Sequence, residues 1–262
     1  MIRREKTSSM ITTSFEIIRN APRKVLAITP HPDDCEGGCG ATLAKWVQEA
    51  GTEVVVVMCT NGNKGTSERD MKPETLAAVR QVEQRNASDI VGVKEVVFLA
   101  HSDGGLEDSE LFRGQIVREI RRHRPDLILC IDPYRSSSHT HRDHRMSGQV
   151  AIDAAFTYAW SYLYFPEQIT EEKLKPHRVE QAYLWGSESP DVFVEIGDYL
   201  HIKSASLAAH ASQMSTATTA ERLERVTRGS TRHKETTGIE YSEAFRRITF
   251  DIGSVDWQLR NT

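Results

Sequence analysis

Glu53-Val54-Val55-Val56-Val57-Met58-Cys59 is a run of four valines extended by Met and Cys, with no polar residue after the first. A strand with one face in water alternates apolar and polar residues. An unbroken β-branched run means burial on both faces, which is the situation of a parallel sheet covered by helices. Upstream, Lys24-Val25-Leu26-Ala27-Ile28-Thr29 reads the same way and stops at Pro30. Between the two runs, Gly37 to Gly40 is expected to form a tight turn and Ala41 to Ala50 a helix. Downstream, Pro73 to Val91 reads as a helix, with Pro in its first turn and Gly92 closing it. Glu95 to Ala100 is then a strand, Ser109 to Arg124 an amphipathic helix, Leu127 to Ile131 a strand, and a helix starts near His144 and runs to about Trp160. Strands alternating with helices predict right-handed β-α-β units. The fold class is therefore α/β, with a mostly parallel sheet flanked by helices on both faces.

The last third is less regular. Gln181 to Trp185 and Asp191 to Ile196 read as strands, Asp198 to Gln213 as a helix, and Ala244 to Phe250 as a final strand. Ser215 to Gly238 is polar and Thr-rich and reads as a loop holding a short helix. No repeat or linker marks a boundary, so residues 1–20 read as an N-terminal arm and 21–262 as one domain.

The 262 residues are 39% hydrophobic and 27% charged, with a net charge of −4, a balance that does not suit a nucleic-acid or anionic-membrane partner. No stretch approaches the roughly 20 apolar residues of a membrane span, and the basic, polar start has no signal-peptide core. The four cysteines (Cys35, Cys39, Cys59, Cys130) are too few and scattered for a disulfide framework. Cys35 and Cys39 read as reduced packing thiols, since no second pair completes a structural zinc cluster. This usage fits a reducing cytoplasm.

In open parallel sheets, ligands bind beyond the carboxyl ends of the strands. Each early strand here ends in a polar cluster: His31-Pro32-Asp33-Asp34, then Thr60 to Thr66, then His101-Ser102-Asp103-Gly104, then Asp132 to His144 with His139, His141, Asp143 and His144. A catalytic zinc takes three ligands from His and Asp/Glu and keeps one position for water. His31 and Asp34, with one of the later histidines, supply that set, while Asp33 points elsewhere. A carboxylate beside the ion can assist deprotonation of water, and His141, with Asp143 or another carboxylate nearby to favour its charged form, suits oxyanion stabilisation. Taken singly, each segment is equally a capping turn or a solvated loop.

His31-Pro32-Asp33-Asp34 followed by Gly38 and Gly40 resembles the signature of the PIG-L/LmbE-like family of zinc N-deacetylases. His141-Arg142-Asp143-His144 resembles its second, His-Pro-Asp-His signature. Agreement extends to Arg80 and Glu83, Asp103-Gly104, and His210-Ala211-Ser212-Gln213. The resemblance implies a Rossmann-like (LmbE-like) fold, zinc, and hydrolysis of N-acetyl groups on glucosamine derivatives, a small-molecule substrate. It implies His31, Asp34 and His144 as zinc ligands, Asp33 as general base, His141 as oxyanion stabiliser held by Asp143, and His210 as a late histidine near the site. Trimers or hexamers are common in such relatives. The pattern is nearest the diacetylchitobiose-deacetylase type, with two departures: Arg142 replaces proline, and Ser102 stands where arginine is usual. Asp103, Arg80 and Asn61 are candidates for substrate contact, with Arg80 also weighed as a buttress. The alternatives are a metal-dependent phosphoesterase, which would gather more carboxylates, and an idle metal- or sugar-binding protein, which would lack Asp33.

Overall fold

A computed structural model of the chain describes residues 14–214 and 217–250. Of the expected arm at 1–20, residues 14–20 are described, and they hold the two-residue strand β1 (Glu16–Ile17). β2 (Lys24–Thr29), β3 (Glu53–Thr60), β4 (Glu95–His101), β5 (Leu127–Ile131), β6 (Gln181–Trp185), β7 (Val192–Glu195) and β8 (Ser242–Thr249) follow. They form one sheet in the order β1-β7-β8-β6-β5-β2-β3-β4. Every pairing is parallel except those of β8, which runs against β6 and β7. The valines of β3 are at most 2% exposed, as burial on both faces requires.

The helices are α1 (Asp34–Ala50), α2 (Pro73–Val91), α3 (Glu110–His123), α4 (Arg142–Asp153), α5 (Pro166–Thr170), α6 (Leu200–Ala208), α7 (Thr219–Ser230) and α8 (Lys234–Thr237). α1, α2, α6 and α7 pack together, and α3 packs with α4, giving the two covering layers. None is long and apolar enough to cross a membrane.

Three expectations are corrected. Gly37 to Gly40 is not a turn: α1 starts at Asp34 and runs through it. Gly38 is small because of what lies above it. A Cβ there would collide with the Trp185 ring at Cδ1, so α1 packs directly on the end of β6. Gly38→Ala should therefore destabilise the fold by about 1–3 kcal/mol, read as a lower urea midpoint at unchanged slope. Residues 217–238 are more helical than a loop with one short helix: α7 opens with a capping box between Thr218 and Glu221, and α8 follows it. The helix expected from His144 begins at Arg142, capped by the His141 ring, and passes into a π-helical turn at Ala154–Tyr158.

The chain order places the site. From β2 the sheet grows through β3 to β4, then returns to the other side of β2 for β5 and β6. The direction reverses between β2 and β5, and the carboxyl ends at such a reversal form a crevice. His31 follows β2 and His141 follows β5.

Candidate metal centre

Three side chains meet in that crevice. Asp34 Oδ2 lies 3.1 Å from His31 Nδ1 and 3.2 Å from His144 Nε2. These three offer ligand atoms all within 4.8 Å of one another. A second group shares His31: its Nε2 lies 3.1 Å from Asp143 Oδ2 and 3.2 Å from Asp103 Oδ1, with His141 at the edge.

His31 is thus flanked by carboxylates on both ring nitrogens. A neutral imidazole carries one proton and can satisfy one side only. The other side needs a second proton or a cation. In the metal-free chain the proton wins: burial opposes charge on His31, but hydrogen bonds to Asp103, Asp143 and Asp34 override it and push the pKa up to about 11. Burial likewise works to raise the Asp34 pKa, and the hydrogen bonds from His144 and His31 outweigh it, holding the carboxyl well below the usual range. The donor set of two imidazoles and one carboxylate fits a divalent cation such as zinc. His31 Nδ1 would face it, with Nε2–H donated to Asp143, the outer carboxylate that fixes such rings.

That pairing corrects the expectation for Asp143. Its carboxylate is wholly buried and accepts from the backbone N–H of Gly104 (2.6 Å) and Leu106 (3.1 Å) as well as facing His31, whereas His141 Nδ1 is 3.9 Å away. Asp143 holds His31 rather than His141. His141 Nδ1 instead accepts the Asp143 backbone N–H at 3.2 Å, so it carries no proton there and Nε2 is left as the ring's donor, 4.0 Å from Asp103 Oδ1 on the open side.

Asp33 does not join either group. It has φ 99°, in the left-handed region that favours glycine and, among other residues, Asn and Asp. Arg80 pins it: Nη2 donates to Pro32 O (2.6 Å) and Asp33 Oδ2 (3.3 Å), and Nη1 donates to Gly62 O (3.0 Å). Burial first, then the charge of Asp34, raise the Asp33 pKa to about 6, with Arg80 and His210 opposing. Arg80 is 3% exposed, and its guanidinium ties the carbonyls of Pro32 and Gly62 together as a clamp between two loops. Arg80→Met should lower stability by about 3 kcal/mol or more. It should also shift the acid limb of any activity that needs ionised Asp33 to higher pH, because an opposing positive charge is lost. Urea melts and a pH–rate profile check both.

His210 is fully buried, with Nε2 3.4 Å from Glu36 Oε2, and it belongs to neither metal-type group. Asn61 caps its own loop through Asn63 N, and Lys64 Nζ holds Asp103 O at 2.7 Å. His139 pairs with Arg145. Cys35 and Cys39 are free, buried and 3.7 Å apart at sulfur. Arg142 ties its loop to the one after β4 through Leu106 O. Sequence reasoning missed Glu36 and Gln84. Gln84 Nε2 donates to Glu36 Oε1 at 2.7 Å, and its Oε1 lies 3.4 Å from Asp33 N. Their signal was a polar stripe at helical spacing on α2, Arg80, Glu83, Gln84 and Ser88, all buried.

A doubly wound sheet with a His/Asp metal-type centre at its reversal defines a class that includes amide hydrolases. Residues 26–155 match the family described as PIG-L, GlcNAc-PI de-N-acetylase, and the chain belongs to this deacetylase family. It is 32% identical over 197 residues to a diacetylchitobiose deacetylase of Thermococcus kodakarensis, covering 74% of this chain and 71% of that one. Among solved structures, N,N'-diacetylchitobiose deacetylase from Pyrococcus horikoshii superposes with a TM-score of 0.80 at 28% identity, over 87% of this chain and 84% of that one. GalB, a 4-carboxy-2-hydroxymuconate hydratase from Pseudomonas putida, has a TM-score of 0.69 at 20% identity, over 86% of this chain and 96% of that one. That likeness concerns the fold alone, so the reaction has to be argued from the site.

Proposed function

We propose that this chain is a zinc-dependent hydrolase that removes the N-acetyl group from an N-acetylglucosamine-type amino sugar. The observation that carries the reading is the division of labour in one turn of chain. His31 and Asp34 converge with His144 on one point, and Asp33 stands beside them unligated, with a pKa raised to about 6. When bound, the cation supplies Lewis acidity, making water a nucleophile near neutral pH and polarising an amide carbonyl. Asp33 takes the proton of the attacking water at its carboxylate and delivers it to the sugar nitrogen as the C–N bond breaks, leaving acetate and a free amine. His141 Nε2–H donates to the developing oxyanion. Asp103 and Asp143 hold His31 in register. The names of the two relatives above support a chitobiose-like amino sugar as substrate.

The test is amine release from N-acetylglucosamine and N,N'-diacetylchitobiose by the zinc-loaded chain, with an aryl phosphate as comparison. Amine and acetate should appear in equal amounts and phosphate not at all. Release of phosphate, or of neither amine nor acetate at full zinc occupancy, would contradict the reading.

A further inference from the structure

The loop from β5 to α4 carries Thr140 and His141 into the crevice. None of residues 133–142 is buried, so no apolar anchor sets the shape of this loop, and polar ties have to. Its first end is fixed to the sheet: Asp132 N donates to Trp185 O, and Asp132 Oδ1 accepts from Tyr134 N at 2.8 Å. Near its last end, Arg145 Nη1 donates to Thr140 O.

The middle is held by one residue some fifty positions further on. Glu188 lies in the short connection between β6 and β7. Its Oε2 accepts from Ser136 N (2.7 Å) and Ser136 Oγ (2.9 Å). Its Oε1 accepts from Ser137 Oγ (2.6 Å), Ser138 N (2.9 Å) and Ser138 Oγ (3.0 Å), and Ser137 N lies 3.0 Å from both oxygens. Successive N–H groups aimed at one point form an anion-binding concavity, and hydrogen bonds to a charged acceptor are the stronger kind. The Ser137 hydroxyl first, then the Ser136 and Ser137 N–H groups, hold the Glu188 carboxyl well below the usual carboxylate range. The connection that carries Glu188 is itself tied down: Asp191 N donates to Phe245 O, and Asp191 Oδ1 accepts from Arg247 N at 2.7 Å. Gly186 leaves room for Arg135, whose guanidinium a Cβ there would strike. The two loops are therefore fitted to each other at two points.

The far end of the held loop meets the site. Thr140 Oγ1 lies 3.2 Å from His144 Nδ1, and His144 Nε2 faces Asp34. A partner on the second ring nitrogen orients such an imidazole. His141 comes next, half-exposed, with Nε2 on the open side. Glu188 belongs to neither metal-type group and acts on both histidines through the loop.

We propose that Glu188 is a positioning residue for the amide hydrolysis: seated among Ser136, Ser137 and Ser138, it sets the loop that brings Thr140 to His144 and His141 to the developing oxyanion. The inference rests on the deacetylase reading given above. The zinc-loaded full chain and its Glu188→Ala and Glu188→Gln variants are compared in two measurements. Hydrogen exchange at the amides of Ser136, Ser137 and Ser138 reads the contact without reference to activity, and it should be about tenfold or more faster in Glu188→Ala than in wild type. Hydrolysis of N,N'-diacetylchitobiose reads the consequence: kcat should fall by a factor of about 10–100 in Glu188→Ala, with circular dichroism unchanged. Glu188→Gln, which keeps one acceptor oxygen without the charge, should fall between the two. Formate, a carboxylate small enough to take the vacated place, should restore part of the lost kcat in Glu188→Ala and none in wild type, and chloride at equal ionic strength should restore none. Unchanged exchange at the three serines, faster exchange with kcat intact, or no recovery with formate would overturn the proposal and leave the deacetylase reading standing. A wild type that releases no amine would overturn both.

Discussion

Asp33→Asn should cut amine release by a factor of about 10²–10⁴, with zinc content and folding unchanged. The substitution is chosen for its backbone. Asp33 sits at φ 99°, and Asn is among the few residues enriched at positive φ, so the turn that separates position 33 from Asp34 survives. Asn still offers an oxygen to Arg80, but it cannot take a proton. Because Asp33 lies in neither metal-type group, the loss should fall on turnover and leave substrate affinity and zinc content in place. Steady-state kinetics beside metal analysis of the same sample decide it. Full activity of the Asp33→Asn variant would mean that the proton goes elsewhere.

His31→Ala should have the larger effect on the molecule as a whole. It removes a proposed metal ligand and also the one group that Asp34, Asp103 and Asp143 share. Zinc uptake at this site should be abolished. The metal-free chain should lose about 3–5 kcal/mol, the cost of removing one partner from a buried ionic cluster. The pH dependence has a definite sign. A histidine whose pKa rises from 6.5 to about 11 on folding stabilises fully below its unfolded value, and that stabilisation is lost as pH rises toward 11. The gap between wild type and His31→Ala, measured by urea denaturation without metal, should therefore be widest near pH 6 and narrow steadily toward pH 10. A gap that widened with pH would contradict the charged His31.

Much of this was legible in the sequence. The apolar runs at 24–29, 53–59 and 127–131 are strands, and the α/β reading follows from their alternation with helices. The two His/Asp segments announce a site because each follows a strand. What was not legible depends on partners distant in the chain. Gly37 to Gly40 resembles a turn until Trp185, nearly 150 residues on, is seen lying against Gly38. Asp143 sits two residues from His141 and from the sequence alone reads as its partner, but β5 lies beside β2, which brings Asp143 against His31 instead. Arg80 reads from the sequence as a substrate contact or as a buttress behind the site, and the approach of the Pro32 and Gly62 carbonyls shows the buttress. α7 did carry its signal, Thr218 and Glu221 at capping-box spacing, but its polar composition concealed it.

In the proposed function one cation lies between His31, Asp34 and His144, with Asp33 beside it and unligated. Anomalous diffraction at the zinc edge, from crystals of the zinc-loaded chain, tests this most directly. The expected result is a single peak within bonding distance of His31 Nδ1, Asp34 and His144 Nε2, with Asp33 outside that distance. A peak among Asp103, His141 and Asp143, or one bonded to Asp33, would contradict it.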